Sequence, residues 1–238
     1  RMVCFRVGKS YQVKCMKVPA IIFSRMASSR LPGKALRHIA GEPLIKRVID
    51  RVSKVKNLST IVVATSNSKT DDRLTQYIQS LNIEVFRGAT HDVLNRAVSC
   101  ASYLGVDKFV RINGDSPLID PELLEKGIEM WTDPSLDLIS NVFPRTYPVG
   151  TSVEIIKTDS LKKILSLTVD SCDREHVTRF FYRNPEKFRI LNFESGRSEL
   201  REVRLAVDTE EDLERIDWLF KEFGLSLIHI SEPTRRLC

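Results

Sequence analysis

A cationic loop and two separated carboxylates carry most of the chemistry that this 238-residue sequence has to offer. The loop runs Ser24-Arg25-Met26-Ala27-Ser28-Ser29-Arg30-Leu31-Pro32-Gly33-Lys34, with three cations and three hydroxyls in eleven residues. Backbone N–H groups of such a loop can wrap a polyphosphate while Arg25, Arg30 and Lys34 neutralise its charge. It is not a Walker A loop, because Ala35 follows Gly33-Lys34, and no G-x-G occurs anywhere for a dinucleotide fingerprint. Asp115 ends the run Arg111-Ile112-Asn113-Gly114-Asp115, and Asp208, 93 residues later, stands between an apolar segment and a helix start. Aspartate is a hard oxygen ligand suited to Mg²⁺, which in phosphoryl chemistry takes one or two carboxylates with waters and phosphate oxygens. Taken singly, the loop reads equally as an exposed basic loop and Asp115 as a turn or capping residue. Together they point to a metal and triphosphate site.

The elements that must position these residues alternate strand with helix. Val18 to Phe23 is a nearly continuous apolar run, the mark of a strand buried on both faces of a parallel sheet. Pro43 to Val55, Asp71 to Leu81, Asp92 to Leu104 and Pro121 to Trp131 have helical periodicity, with Pro43 suited to a first turn. Thr60 to Ala64, Ile83 to Phe86, Lys108 to Ile112 and Leu136 to Ile139 read as strands between them. Such alternation specifies right-handed crossovers and a mainly parallel α/β sheet. The second half is less regular: Thr151 to Ile156 reads as an antiparallel element, Arg174 to Tyr182 as a helix, and Phe188 to Asn192 and Val203 to Val207 as strands. Thr209 to Asp212 has a capping signature that opens a helix through Phe223. Both aspartates then stand at strand ends, where open α/β sheets bind ligands.

Composition narrows the classes. Hydrophobic residues are 42% and charged residues 29%, which excludes collagenous, mucin-like and wholly disordered chains. No apolar run approaches the roughly 18 residues of a membrane span, so a soluble protein with no membrane partner is expected, and five cysteines with no C-x-x-C and no secretory pattern point to a reducing, cytoplasmic compartment. Residues 1–15 read as a non-native leader and 226–238 as an appended tail, leaving 16–225 as one folded domain; the alternative is a genuine basic leader. The flanks carry +4 and +1 of the formal +6, so the domain retains only +1, too little for a nucleic-acid partner. Three of the five cysteines lie in the flanks, and Cys100, on an apolar helix face, reads as core rather than nucleophile.

The segments RMASSRLPGKAL, IVVAT, FRG with DVLNRA, RINGDSPLIDPELL, SNVFPRTYPVGTSVE, REHVT and VDTEEDLE, in this order, resemble the cytidylyltransferase family that contains the SpsF-type spore coat polysaccharide proteins. More distantly the chain is similar to CMP-KDO synthetase and acylneuraminate cytidylyltransferase. The resemblance implies a nucleotide-diphospho-sugar transferase fold, a Rossmann-like three-layer α/β/α sandwich with a small antiparallel lobe, and a homodimer. It implies a Mg²⁺-dependent reaction of a nucleoside triphosphate, CTP first, with a sugar or sugar acid to give the activated sugar and pyrophosphate, for surface or spore-coat polysaccharide. The roles it implies are triphosphate binding for Arg25 and Lys34 with Ser28 and Arg30, and metal binding for Asp115 and Asp208. Thr65, Ser66, Arg87, Arg96 and Arg111 are expected around the nucleotide; Arg145, Tyr147, Glu154 and His176 around the sugar. A helix histidine bonded to a neighbouring backbone group is the other reading of His176. Ser24 and Asn113 depart from the family's pattern, which leaves the nucleobase open. A non-catalytic nucleotide-binding scaffold of the same fold is the alternative function.

Overall fold

In the computed structural model, which describes residues 17–223 together with a backbone pairing of Arg6–Val7 and Ser10–Tyr11, the run Val18–Phe23 is strand β1. Its alternating residues face opposite layers: Ala20 and Ile22 join one core cluster, Ile21 the other, all fully buried. That is why the run has no polar partner in its period. The remaining leader residues and the tail 226–238 lie outside the described residues.

Three crossovers follow. Helix α1 (Leu44–Val52) leads to β2 (Leu58–Ser66), α2 (Asp72–Ser80) to β3 (Glu84–Gly88), and α3 (Val93–Tyr103) to β4 (Lys108–Asn113). Then come α4 (Pro121–Glu129), β5 (Leu138–Ser140), β6 (Glu154–Lys157), α5 (Thr158–Leu167), α6 (Ser171–Glu175), α7 (Arg179–Arg183), β7 (Ile190–Asn192) and α8 (Glu210–Phe223). The seven-stranded sheet has the order β7-β5-β6-β4-β1-β2-β3, and only β6 runs antiparallel to its neighbours. Helices α1, α2, α4 and α8 cover one face, and α3, α5 and α7 the other. The layers are those of the expected sandwich. The antiparallel element is one strand inside the sheet; a separate hairpin of His38–Ile39 with Glu42–Pro43 packs on α1 and α8.

Chain order reverses at β1. Strands β2 and β3 extend to one side of it, and the chain then returns to place β4 on the other. The carboxyl ends of β1 and β4 therefore flank a switch point, the position where open α/β sheets leave a crevice for ligands. Gly114 makes this approach possible: its N–H donates to Phe23 O at 2.9 Å, and a Cβ there would stand 2.6 Å from Ser24 Cβ.

Three expectations from the sequence are corrected. Val203–Val207 is not a strand: its only β-pairing among the described residues is one bridge, Val149 with Arg204, and it lies as a strap across the sheet end with Leu205 and Val207 buried in the core. Its ties are Leu205 N to Val149 O at 2.6 Å and Val207 N to Asp115 O at 2.9 Å. The segment expected as one helix from Arg174 to Tyr182 is two, because Asp170 caps α6 through the Cys172 and Asp173 amides and the chain turns at His176. Pro43 precedes α1 in extended conformation instead of opening its first turn. Helix α5 had no counterpart in the sequence reading, although it buries Leu161 and Ile164 and packs Leu165 against the same core, a helical spacing.

Candidate active site

A cleft of about 410 Å³ opens over the switch point. The loop after β1 forms one wall, with Arg25, Ser28, Arg30 and Lys34 facing in; Asn113, Gly114 and Asp115 at the end of β4 form the floor. Asp208, carried by the strap just before α8, and Glu175 and His176, at the C-terminal end of α6, close the other sides. The cleft thus gathers nine of the residues expected from the sequence: Arg25, Ser28, Arg30, Lys34, Arg96, Arg111, Asp115, His176 and Asp208.

Local folding explains how the loop holds its shape. Gly33 adopts φ +72°, a left-handed conformation that glycine enters without strain, and its N–H donates to Met26 O at 2.9 Å. Lys34 then opens a short 3₁₀ turn, and its Nζ reaches Asp115 Oδ2 at 2.9 Å, Val207 O at 2.9 Å and Asp208 Oδ1 at 3.1 Å. Arg30 joins Asp208 Oδ1 at 3.1 Å and Arg204 its Oδ2 at 3.4 Å, while Arg25 pairs with Glu175 at 2.9 Å. Asp208 is oriented by the start of α8, where Asp212 Oδ2 accepts from the Asp208 and Thr209 amides and Thr209 Oγ1 accepts from the Asp212 amide. That is the reciprocal capping arrangement.

Two carboxylates that share one cation fit a hard divalent ion. Among the described residues no group of three or more His, Cys, Asp and Glu could hold a metal by itself. Mg²⁺ matches such a site, since it is usually bound by one or two carboxylates plus water and substrate phosphate.

Behind the floor lies a row of polar groups across three adjacent strands. Arg111 on β4, Glu154 on β6 and Ser140 on β5 are cross-strand neighbours. Arg111 forms an ion pair with Glu154, Tyr182 Oη donates to Glu154 Oε1 at 2.6 Å, and Ser140 Oγ lies 2.8 Å from Tyr182 Oη. Burial works against the Glu154 charge, but Arg111 and the Tyr182 and Thr178 hydroxyls hold its carboxyl below the usual range; the same burial and carboxylate push the Tyr182 phenol well up. Arg96 on α3 is buried with Nη1 on Ala89 O at 2.8 Å, and burial lowers its pKa.

Other expected residues stand apart from the cleft lining. Thr65 and Ser66 are buried and donate to Asp71, and Arg87 grips Asp72 and the Ser66 and Ser68 carbonyls. Arg145 donates to Ser152 Oγ and Pro148 O, and Tyr147 Oη to Glu194 O. The sequence reading missed Glu175, Arg204, Asp71 and Tyr182. Glu175 was within reach, since it adjoins His176 in REHVT; Arg204 sits in the segment read as a strand.

A switch-point cleft with paired aspartates and a cationic loop defines a nucleotidyltransferase-type α/β protein. The cytidylyltransferase family model matches residues 19–229, and the chain belongs to that family. It is 32% identical over 210 residues to the spore coat polysaccharide biosynthesis protein SpsF of Bacillus subtilis, covering 86% of each chain. It is also 32% identical over 191 residues to the 3-deoxy-manno-octulosonate cytidylyltransferase of Geobacter metallireducens, covering 79% of this chain and 67% of the relative. Among solved structures, a cytidylyltransferase from Leptospira borgpetersenii superposes with a TM-score of 0.79 at 27% identity, covering 90% of this chain and 97% of the other. No helix among the described residues is long and apolar enough to cross a membrane.

Proposed function

We propose that the protein transfers CMP from CTP to a hydroxyl of a sugar or sugar acid, releasing pyrophosphate, in the making of a surface polysaccharide. The observation that carries this reading is the meeting of Lys34 with Asp115 and Asp208 at the carboxyl edge of the sheet, inside a cleft lined by Arg25 and Arg30. In the reaction the acceptor oxygen bonds to the α-phosphorus, the α–β phosphoanhydride bond breaks, pyrophosphate leaves with that electron pair, and the acceptor proton is released. No covalent protein intermediate is required; positioning and charge neutralisation suffice.

Arg25, Arg30 and Lys34 take the triphosphate oxygens and stabilise the departing pyrophosphate, with the Ser28 and Ser29 region of the loop close to the phosphates. Asp115 and Asp208 would hold Mg²⁺, which when bound neutralises phosphate charge and keeps the reactants in line. Arg111, fixed by Glu154, faces the nucleotide, and Glu175 with His176 border the part of the cleft where the acceptor enters. The SpsF and 3-deoxy-manno-octulosonate relatives support a polysaccharide sugar or sugar acid as the acceptor class.

A pyrophosphate-release assay crossing four nucleoside triphosphates with sugar acids and sugar phosphates in the presence of Mg²⁺ tests the proposal. Turnover with CTP, lost in Asp115→Asn, is expected. No release from any nucleotide across the panel overturns it.

A further inference from the structure

An ammonium has three N–H donors, and Lys34 uses all of them inside the cleft, on Asp115 Oδ2, Val207 O and Asp208 Oδ1. None is left for an incoming phosphate. Asp208 is equally occupied: Oδ1 also receives Arg30, and Oδ2 receives Arg204. Arg25 is held in the same way by Glu175. Lys34 and Arg30, which would grip a triphosphate, are thus engaged by the carboxylates that would grip a metal, and Arg25 by Glu175.

We infer that Lys34 is an internal counter-cation that occupies the place between Asp115 and Asp208 until nucleotide arrives, so that the triphosphate switches on divalent-metal binding. This rests on the function proposed above. A divalent ion entering the nucleotide-free cleft has to approach an ammonium about 3 Å from each carboxylate. At roughly 4 Å, like charges near a protein surface repel by several kcal/mol per unit charge, so the ion must displace Lys34 or bind weakly.

Displacing Lys34 without a substitute leaves its ammonium unpaired in a site where its side chain is only 15% exposed. A triphosphate supplies the substitute. Its oxygens offer Lys34 and Arg30 new acceptors: Lys34 moving to them frees Asp115 Oδ2, and Lys34 and Arg30 moving together free Asp208 Oδ1. Only side chains need to move, because the Lys34 backbone is fixed by the Gly33 turn and its stem is a flexible four-carbon chain. Linkage makes the effect reciprocal: metal and nucleotide each raise the other's affinity. It also keeps the free carboxylates from holding a metal that no substrate accompanies.

The test measures Mn²⁺ binding to the full chain without nucleotide, by calorimetry and by the electron paramagnetic resonance signal of the free ion. The wild type is compared with Lys34→Met, which keeps the stem and removes the charge. On the order of tenfold tighter Mn²⁺ binding by Lys34→Met is expected. The gain should disappear when Asp208→Asn is added to Lys34→Met. Equal Mn²⁺ affinity in the wild type and Lys34→Met overturns the inference, as does a gain that survives Asp208→Asn. If circular dichroism shows Lys34→Met unfolded, Lys34→Gln is measured against the same outcomes. A protein with the metal gain but no pyrophosphate release with any nucleotide would overturn the enzymatic reading and leave the counter-cation role standing.

Discussion

The Asp71 carboxylate accepts the Met26 amide at 2.7 Å, a bond spanning 45 residues that pins the cationic loop to the end of β2. The other oxygen of Asp71 accepts from Thr65 Oγ1 at 2.9 Å, the Ser66 amide at 3.0 Å and the Ser66 hydroxyl. Met26 follows Arg25 directly, so Asp71 sets where that guanidinium starts. It is a positioning residue, fully buried and out of reach of ligand. Asn in its place keeps one acceptor oxygen and turns an NH₂ toward donors, so Asp71→Asn should destabilise the fold by roughly 2–4 kcal/mol. Thermal unfolding checks the stability. A rise in KM for the nucleotide larger than the fall in kcat checks the positioning role.

The same residue gives a pH dependence. Burial alone would raise the Asp71 pKa, but hydrogen bonds from Ser66, Met26 and Thr65 outweigh it and hold the carboxyl below its ordinary value. A depressed folded pKa contributes stability that is fully present above the unfolded value, near 4, and lost as pH falls through the folded value. Urea midpoints taken from pH 5 downward should therefore fall less steeply in Asp71→Asn than in the wild type. Parallel slopes would show that folding does not lower the Asp71 pKa, and a wild type that falls less steeply than Asp71→Asn would show that folding raises it.

Gly114 marks a second dependence of site on fold. A Cβ there would stand 2.6 Å from Ser24 Cβ and 2.8 Å from Phe23 O, and the backbone oxygen cannot rotate away. Gly114→Ala must push β4 from β1 at the point where Asp115 leaves the sheet. Overpacking of this kind costs about 1–3 kcal/mol. Activity is expected to fall further than the change in Tm accounts for, because Asp115 and Lys34 both shift. Full nucleotide turnover in a Gly114→Ala protein would show that the close approach has no bearing on the site.

Cys100 and Cys172 should differ sharply as thiols. Cys100 is buried on α3 and burial pushes its pKa up to about 12, whereas Cys172 is exposed on α6. The thiolate is the reactive form. Iodoacetamide at pH 8 followed by peptide mass spectrometry should label Cys172 in the native protein and Cys100 only once the protein is unfolded. Prompt native labelling of Cys100 would mean that α3 opens locally.

Much of this site could be seen in the sequence because its parts are local. The loop from Ser24 to Lys34 and the Asn113-Gly114-Asp115 turn each combine a strand end with a run of distinctive residues, and a buried parallel strand such as β1 has an unmistakable apolar block. What escaped depends on contacts distant in the chain. Val203–Val207 has strand-like composition, but its pairing is limited to a bridge at Val149, so it becomes the strap that delivers Val207 O and Asp208. The break at His176 follows from Asp170 capping and from Asp173, buried and paired with Arg179 and Arg183 of α7; helical period carries no trace of it. Thr65 and Ser66 have types suited to ligand binding, yet their hydroxyls serve Asp71.

The Arg111–Glu154 pair offers the clearest separation of stability from catalysis. Glu154 is 3% exposed and Arg111 15%, so removing the carboxylate charge leaves a guanidinium in poor solvent contact. Breaking a buried pair from one side is expected to cost about 3–5 kcal/mol, whereas replacing both partners by apolar groups of similar size can be nearly neutral. Glu154→Gln should thus unfold at markedly lower denaturant, and Arg111→Met/Glu154→Leu should recover much of the loss. If Arg111 serves only the fold, the double variant regains pyrophosphate release along with stability. If it touches a ligand in the cleft that it lines, stability returns and kcat/KM does not. Measuring both quantities on the single and double variants decides between these outcomes, and the second is expected.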